Sequence, residues 1–152
     1  MITEELETLS VRDADQLAAV EEACFAQPLS SRQIRSLTET QNATFVVVRS
    51  EETLIVGSVW VQTVLDEGYI GNVAVLSSFR RQGFADALLE ALDRFAEKKG
   101  LRFLTLEVRE SNIPAICLYD KHGYHRVGVR PAYYTAPKEN AILMTKYYGT
   151  GE

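Results

Sequence analysis

Cysteine is scarce in this chain and forms no pattern. Its two cysteines, Cys24 and Cys117, stand far apart with no C-x-x-C spacing. That excludes zinc-finger ligation and a disulfide framework as the basis of the fold. Histidine is equally sparse: His122 and His125 lack a third ligating group at matching spacing, and no metal is expected. Long apolar runs are missing too. The most apolar stretch, Leu54 to Val61, covers eight residues and contains Gly57 and Ser58, far short of the roughly 20 that span a bilayer. The first residues are acidic at Glu4 and Glu5, where a secretory leader opens basic and turns apolar. Positive charge is in deficit, with 16 Lys and Arg against 21 Asp and Glu for a net −5. Nucleic acid and anionic membranes are therefore not expected as partners, and a soluble, cytoplasmic protein is.

What is present describes an ordinary globular chain. Its 152 residues suit a single domain spanning 1–152, and 46% apolar with 24% charged residues exclude wholesale disorder. There is no internal repeat, low-complexity tract or interdomain linker. Leu6, Leu9 and Val11 read as a short first strand. Asp13 with Gln16 reads as the cap of a helix carrying Leu17, Val20 and Cys24, and Ser30 with Gln33 as the cap of a second with Ile34 and Leu37. Two β-rich runs, Thr44 to Val48 and Leu54 to Val61, form a hairpin, and a turn at Asp66 to Gly68 leads into a strand over Tyr69 to Val75.

Phe84, Leu88, Leu92 and Phe95 mark a long amphipathic helix that Gly100 closes. A strand over Arg102 to Val108 and a helix between Pro114 and Gly123 follow. Strands at Tyr124 to Val129 and Ala141 to Tyr147, joined by a loop with Pro131, Tyr133, Tyr134 and Pro137, complete the chain. The order β-α-α-β-β-β-α-β-α-β-β gives a mixed sheet with helices on both faces.

The segment with most chemical content runs from Asn72, Val73, Ala74 and Val75 through Arg80, Arg81, Gln82, Gly83, Phe84, Ala85 and Asp86. It places a strand, a short basic loop and a helix start in succession. Unpaired N–H groups and the positive dipole end at a helix N-terminus attract phosphate, and a glycine lets it approach the backbone. On spacing alone, a solvated basic connection is the commoner reading of such a loop. It is neither a Walker A sequence nor a G-x-G-x-x-G fingerprint.

The loop resembles the Arg/Gln-x-x-Gly-x-Gly/Ala signature of the GCN5-related N-acetyltransferases (GNAT), with Arg80, Gly83 and Ala85 in its three defined positions. Further stretches match in order and spacing: Glu21 to Phe25, Leu106 to Asn112, Ala115 to Tyr119, His122 to Tyr124, Tyr133 with Tyr134, and Glu139 to Met144. They resemble the branch that acetylates the N-terminal alanine of ribosomal proteins. The resemblance implies an α/β (α+β) GNAT fold, with a mixed, mostly antiparallel twisted sheet of about seven strands flanked by four helices.

It further implies acetyl-CoA as co-substrate and a protein N-terminus, of a ribosomal protein, as partner. Val73, Ala74 and Val75 would contact the pantetheine arm and donate N–H groups to the oxyanion. Arg80 to Asp86 would hold the pyrophosphate, and Asn112 would touch the coenzyme. Glu107 is implied as base, Tyr119 as acid, and Tyr133 and Tyr134 as walls of the peptide cleft. An amine must lose its proton before attacking a thioester, so base and acid answer a chemical need. Two departures stand out: Asp86 puts an acid beside the phosphate loop, and Leu29 replaces a tryptophan common after the proline on the substrate side.

Without the family, each of these residues also reads plainly. Glu107 is then an exposed glutamate near a strand end, Tyr119 a core tyrosine, and Tyr133 and Tyr134 a surface aromatic pair. A base at Glu107 is expected to have a raised pKa through partial burial, or to relay through water. Cys24 and Cys117 are expected as small buried hydrophobes. Two other functions stay open at this point: acetylation of a different amine, and an acyl-CoA-binding module without catalysis.

Overall fold

The central strands are apolar on both faces because helices cover both. The computed structural model describes residues 1–51, 53–71 and 73–149. Strand β2 (Ala43–Arg49) alternates its contacts: Phe45 and Val47 pack toward helices α1 (Val11–Cys24) and α2 (Ser31–Thr40), while Val46 and Val48 pack toward α3 (Phe84–Lys99). A strand buried on both sides reads as a continuous hydrophobic run, which is what Thr44 to Val48 shows. Leu17, Val20 and Ile34 supply one layer; Leu88, Leu89, Leu92 and Phe95 supply the other. Each fully buried side chain of this size stabilises by about 1.5–3 kcal/mol.

The sheet order is β1-β2-β3-β4-β6-β8-β7, with β5 pairing only β3. Its members are β1 (Thr3–Leu6), β2, β3 (Ile55–Val64), β4 (Glu67–Ile70), β5 (Ala74–Val75), β6 (Phe103–Arg109), β7 (His125–Thr135) and β8 (Lys138–Tyr147). All neighbours are antiparallel except β4 with β6. That parallel pairing ends at Tyr69 with Thr105. Beyond it β5 stays on β3 while β6 stays on β8, so the sheet opens between them. Helix α4 (Ile113–Lys121) follows β6. No helix among the described residues is long and apolar enough to cross a membrane.

Several boundaries differ from the sequence expectation. Leu9 and Val11 are not in the first strand: Ser10 caps α1 by accepting the Asp13 N–H at 3.0 Å, so the cap lies three residues before Asp13 and the helix begins at Val11. The cap at Ser30 is as expected, with reciprocal bonds to Gln33. The strand expected over Tyr69 to Val75 is two pieces, and Asn72 lies outside the described residues. Tyr133 and Tyr134 sit in strand β7 rather than in a loop. An irregularity between Arg130 and Tyr134, with Ala132 at φ 53°, accommodates Pro131 on this edge strand.

Candidate active site

Two sides of the opened sheet make two kinds of wall. Along β6 the residues alternate: Leu104, Leu106 and Val108 are buried, while Phe103, Thr105, Glu107 and Arg109 face the other side. Glu107 thereby lines a cavity of about 430 Å³ with Glu21, Leu29, Trp60 and Tyr134 among its other walls. Its carboxylate is half-buried, at 29% exposure, and accepts a hydrogen bond from Arg130 Nε at 3.1 Å.

A second cavity, also about 430 Å³, runs past Val73, Ala74, Val75, Arg80, Ala85, Asn112 and Tyr119. Tyr119 projects from α4, and its phenol oxygen accepts the Val73 N–H at 3.5 Å. Burial pushes this phenol up to about 12, with the Val73 contact working the other way. A third cavity, about 260 Å³, joins the two: it shares Phe25, Ala26, Arg109 and Tyr134 with the first and Cys24, Val73, Asn112 and Tyr119 with the second. Glu107 and Tyr119, from different elements, thus line one connected channel.

The basic loop ends this channel at the start of α3. Arg81 at φ 62° and Gly83 at φ 86° turn the chain sharply, and Gly83 is the helix N-cap. A left-handed residue followed by a helix start aims successive N–H groups outward; the first intrahelical bond is Ala87 N–H to Gly83 O. Arg80 Nε donates to Val75 O at 2.9 Å, which folds this guanidinium over the slot. The exposed loop, the left-handed glycine and the outward N–H groups fit a pyrophosphate, and the adjoining slot fits a narrow arm.

Other site residues have placements that spacing did not reveal. The Asp86 carboxylate is turned onto α4, where His122 Nε2 lies 2.7 Å away and Lys121 Nζ 3.0 Å. Those bonds hold its carboxyl below the usual range. Gln82 donates to Ser78 O at 3.1 Å, and Asn112 caps α4 by accepting the Ala115 N–H at 3.3 Å. Tyr133 and Tyr134 meet edge to face at 5.0 Å on the first cavity's wall. Leu29 lines that cavity too. The expectation of two buried cysteines is corrected: Cys117 is exposed on the outer side of α4, beside buried Ile116, and Cys24 is half-buried on the slot wall.

The sequence model of the acetyltransferase (GNAT) family matches residues 11–124. The chain belongs to this family. As a GNAT member it is 35% identical over 146 residues to the ribosomal protein bS18-alanine N-acetyltransferase of Haemophilus ducreyi, covering 93% of this chain and 99% of that one. The enzyme of the same name from Escherichia coli K12 is 46% identical over 85 residues, 55% of this chain and 57% of that one. The crystal structure of the ribosomal-protein-S18-alanine N-acetyltransferase from Escherichia coli superposes with a TM-score of 0.84 at 30% identity, covering 99% of both chains. The expected GNAT architecture is present, with eight strands instead of seven because β4 and β5 are separate.

Sequence reasoning gave no role to several residues of this GNAT site. Arg130 pairs with Glu107, and Arg109 binds the β7–β8 turn. Trp60 and Glu21 line the first cavity. Only Glu21 left a trace in the sequence, as an acid on the helical stripe of Leu17, Val20 and Cys24.

Proposed function

We propose that this chain transfers acetyl from acetyl-CoA to the α-amine of a protein N-terminus, and that its substrate is the N-terminal alanine of a ribosomal protein. The observation that carries the reading is the connected channel with Glu107 on one side and Tyr119 on the other. The co-substrate supplies an activated acetyl group as a thioester. The Arg80 to Asp86 loop, through its N–H groups and the Arg80 and Arg81 charges, holds the pyrophosphate, and Val73 to Val75 with Asn112 line the arm's path.

The peptide enters the cavity walled by Tyr133 and Tyr134. Its α-ammonium, with an ordinary pKa of about 7.7–8.0, must give up a proton. Glu107 receives that proton directly or through water, since its carboxylate is half-buried and borders the open cavity. The Val73 N–H, which makes only a long 3.5 Å contact to the Tyr119 oxygen at the slot, exchanges that contact for the developing oxyanion. The Tyr119 hydroxyl donates to the departing sulfur. An amine attacking directly needs no covalent enzyme intermediate, so the cysteines take no part.

Two peptides test the reading by mass spectrometry after incubation with protein and acetyl-CoA. One has a free N-terminal alanine and no lysine; the other has a blocked terminus and one lysine. Gain of one acetyl group by the first alone is expected. Modification of only the second would move the activity to lysine side chains. If neither changes, a coenzyme-binding module without catalysis replaces the proposal.

A further inference from the structure

The peptide cavity holds a second carboxylate that the scheme above leaves unused. Glu21 lies in the last turn of α1 and is only 8% exposed, in a helix whose other buried positions are Ala14, Leu17 and Val20. It lines the same cavity as Glu107. Its one hydrogen bond among the described residues comes from the Leu29 N–H to Oε1 at 3.0 Å, which leaves Oε2 uncommitted. Burial pushes the carboxyl up and the Leu29 bond offsets part of that.

A carboxylate so enclosed is unfavourable unless a cation or several donors meet it. The two arginines near this cavity are already engaged. Arg109 donates to Pro137 O, Ala136 O and Glu139, and Arg130 donates to Glu107. No ion pair to Glu21 occurs among the described residues. The cavity therefore presents a buried acid without a counter-ion, in a site whose substrate arrives as a cation.

We propose that Glu21 is a specificity-determining residue that takes the incoming α-ammonium as its counter-ion, selecting a free amino terminus before Glu107 receives the proton. The inference rests on the function proposed above. The two acids suit different tasks. Glu107 borders water and can pass a proton on, whereas the enclosure of Glu21 strengthens its attraction for a charge. The hydration that Glu21 loses on burial is then offset by a ligand that brings a positive group. A peptide with a blocked terminus brings none.

The test measures binding, so it needs no turnover. The full chain with coenzyme A is titrated, at neutral pH, with an alanine-terminated peptide and with the same peptide carrying propionyl in place of alanine. The second keeps the shape and lacks the amine. Wild-type protein is expected to favour the amine about tenfold or more, as for a charge-assisted contact. Glu21→Gln keeps an acceptor for the Leu29 N–H, and Glu21→Met keeps only the volume. Both should reduce that preference to within about twofold, while Glu107→Gln retains most of it.

A wild-type preference persisting in either Glu21 variant overturns the inference. An equal loss of affinity for both peptides also overturns it, because it marks Glu21 as a loop anchor. If wild-type protein binds neither peptide, the proposed function fails first, and the role of Glu21 with it.

Discussion

At Tyr119, enclosure comes at the cost of acidity. At 2% exposure its phenol is pushed up to about 12, not the value near 10 that an ordinary tyrosine shows. The departing thiolate has a conjugate acid resembling cysteine's, near 8.5. Full proton transfer would run uphill by roughly 3.5 units, or about 5 kcal/mol. In the proposed mechanism Tyr119 therefore keeps its proton and donates a hydrogen bond as charge builds on sulfur; the C–S bond breaks to release the thiolate, and the second proton of the amine passes to solvent. Tyr119→Phe is expected to lower turnover by about 10²–10⁴ while leaving coenzyme affinity little changed. Steady-state thiol release and coenzyme titration separate the two effects. Turnover equal to wild type would remove the role.

At the scale of elements, the β7–β8 hairpin is held over the cleft from β6. Arg109 donates Nη1 to Pro137 O at 2.9 Å and Nη2 to Ala136 O at 3.0 Å, pairs with Glu139 at 3.1 Å, and lies 4.2 Å from the Tyr134 ring centroid. Glu139 in turn accepts the Ser111 N–H at 2.6 Å, tying the same turn to the start of α4. Planar bidentate geometry is what arginine supplies and lysine lacks. Arg109→Met should loosen the tip that carries Tyr133 and Tyr134, raising KM for the peptide about tenfold. Coenzyme affinity, which the proposed function assigns to β5 and the start of α3, should stay constant. Hydrogen exchange of amides 133–139 should quicken in the variant; protection equal to wild type would show that other contacts hold the hairpin.

For the whole molecule, buried and half-buried phenols set the alkaline limit. Tyr119 and Tyr134 are pushed up to about 12 by burial, and Tyr124 and Tyr148 are pushed up as well. Above about pH 10 the unfolded chain sheds phenolic protons that the folded chain keeps, so stability falls as pH rises. Their contribution is complete below about pH 10 and is lost as pH climbs through about 12. Asp86 and Glu139, held low by their hydrogen bonds, act at the other end: their contribution is present above the ordinary carboxylate range and lost as pH falls. Urea midpoints should be level from about pH 7 to 9 and decline from about pH 10. A midpoint still level near pH 11 would contradict the role given to the phenols.

The sequence by itself determined the elements and the family. Periodicity placed α3 and its Gly100 end, the Ser30 cap and the β2–β3 hairpin, because these rest on contacts within a few residues. The Arg80 to Ala85 signature and the stretches from Glu21 to Met144 carried the resemblance, since spacing along the chain is itself the signal. Tertiary structure alone decided the rest. That β4 and β5 separate, opening the sheet beside Glu107, depends on which neighbour each segment pairs with. That Asp86 turns to His122, that Arg130 caps Glu107, and that Pro131 sits within a strand are consequences of packing between distant segments. The exposure of Cys117 and the enclosure of Glu21 follow from the same cause. Helical spacing tells which residues share a face, and only the assembled layers tell what that face meets.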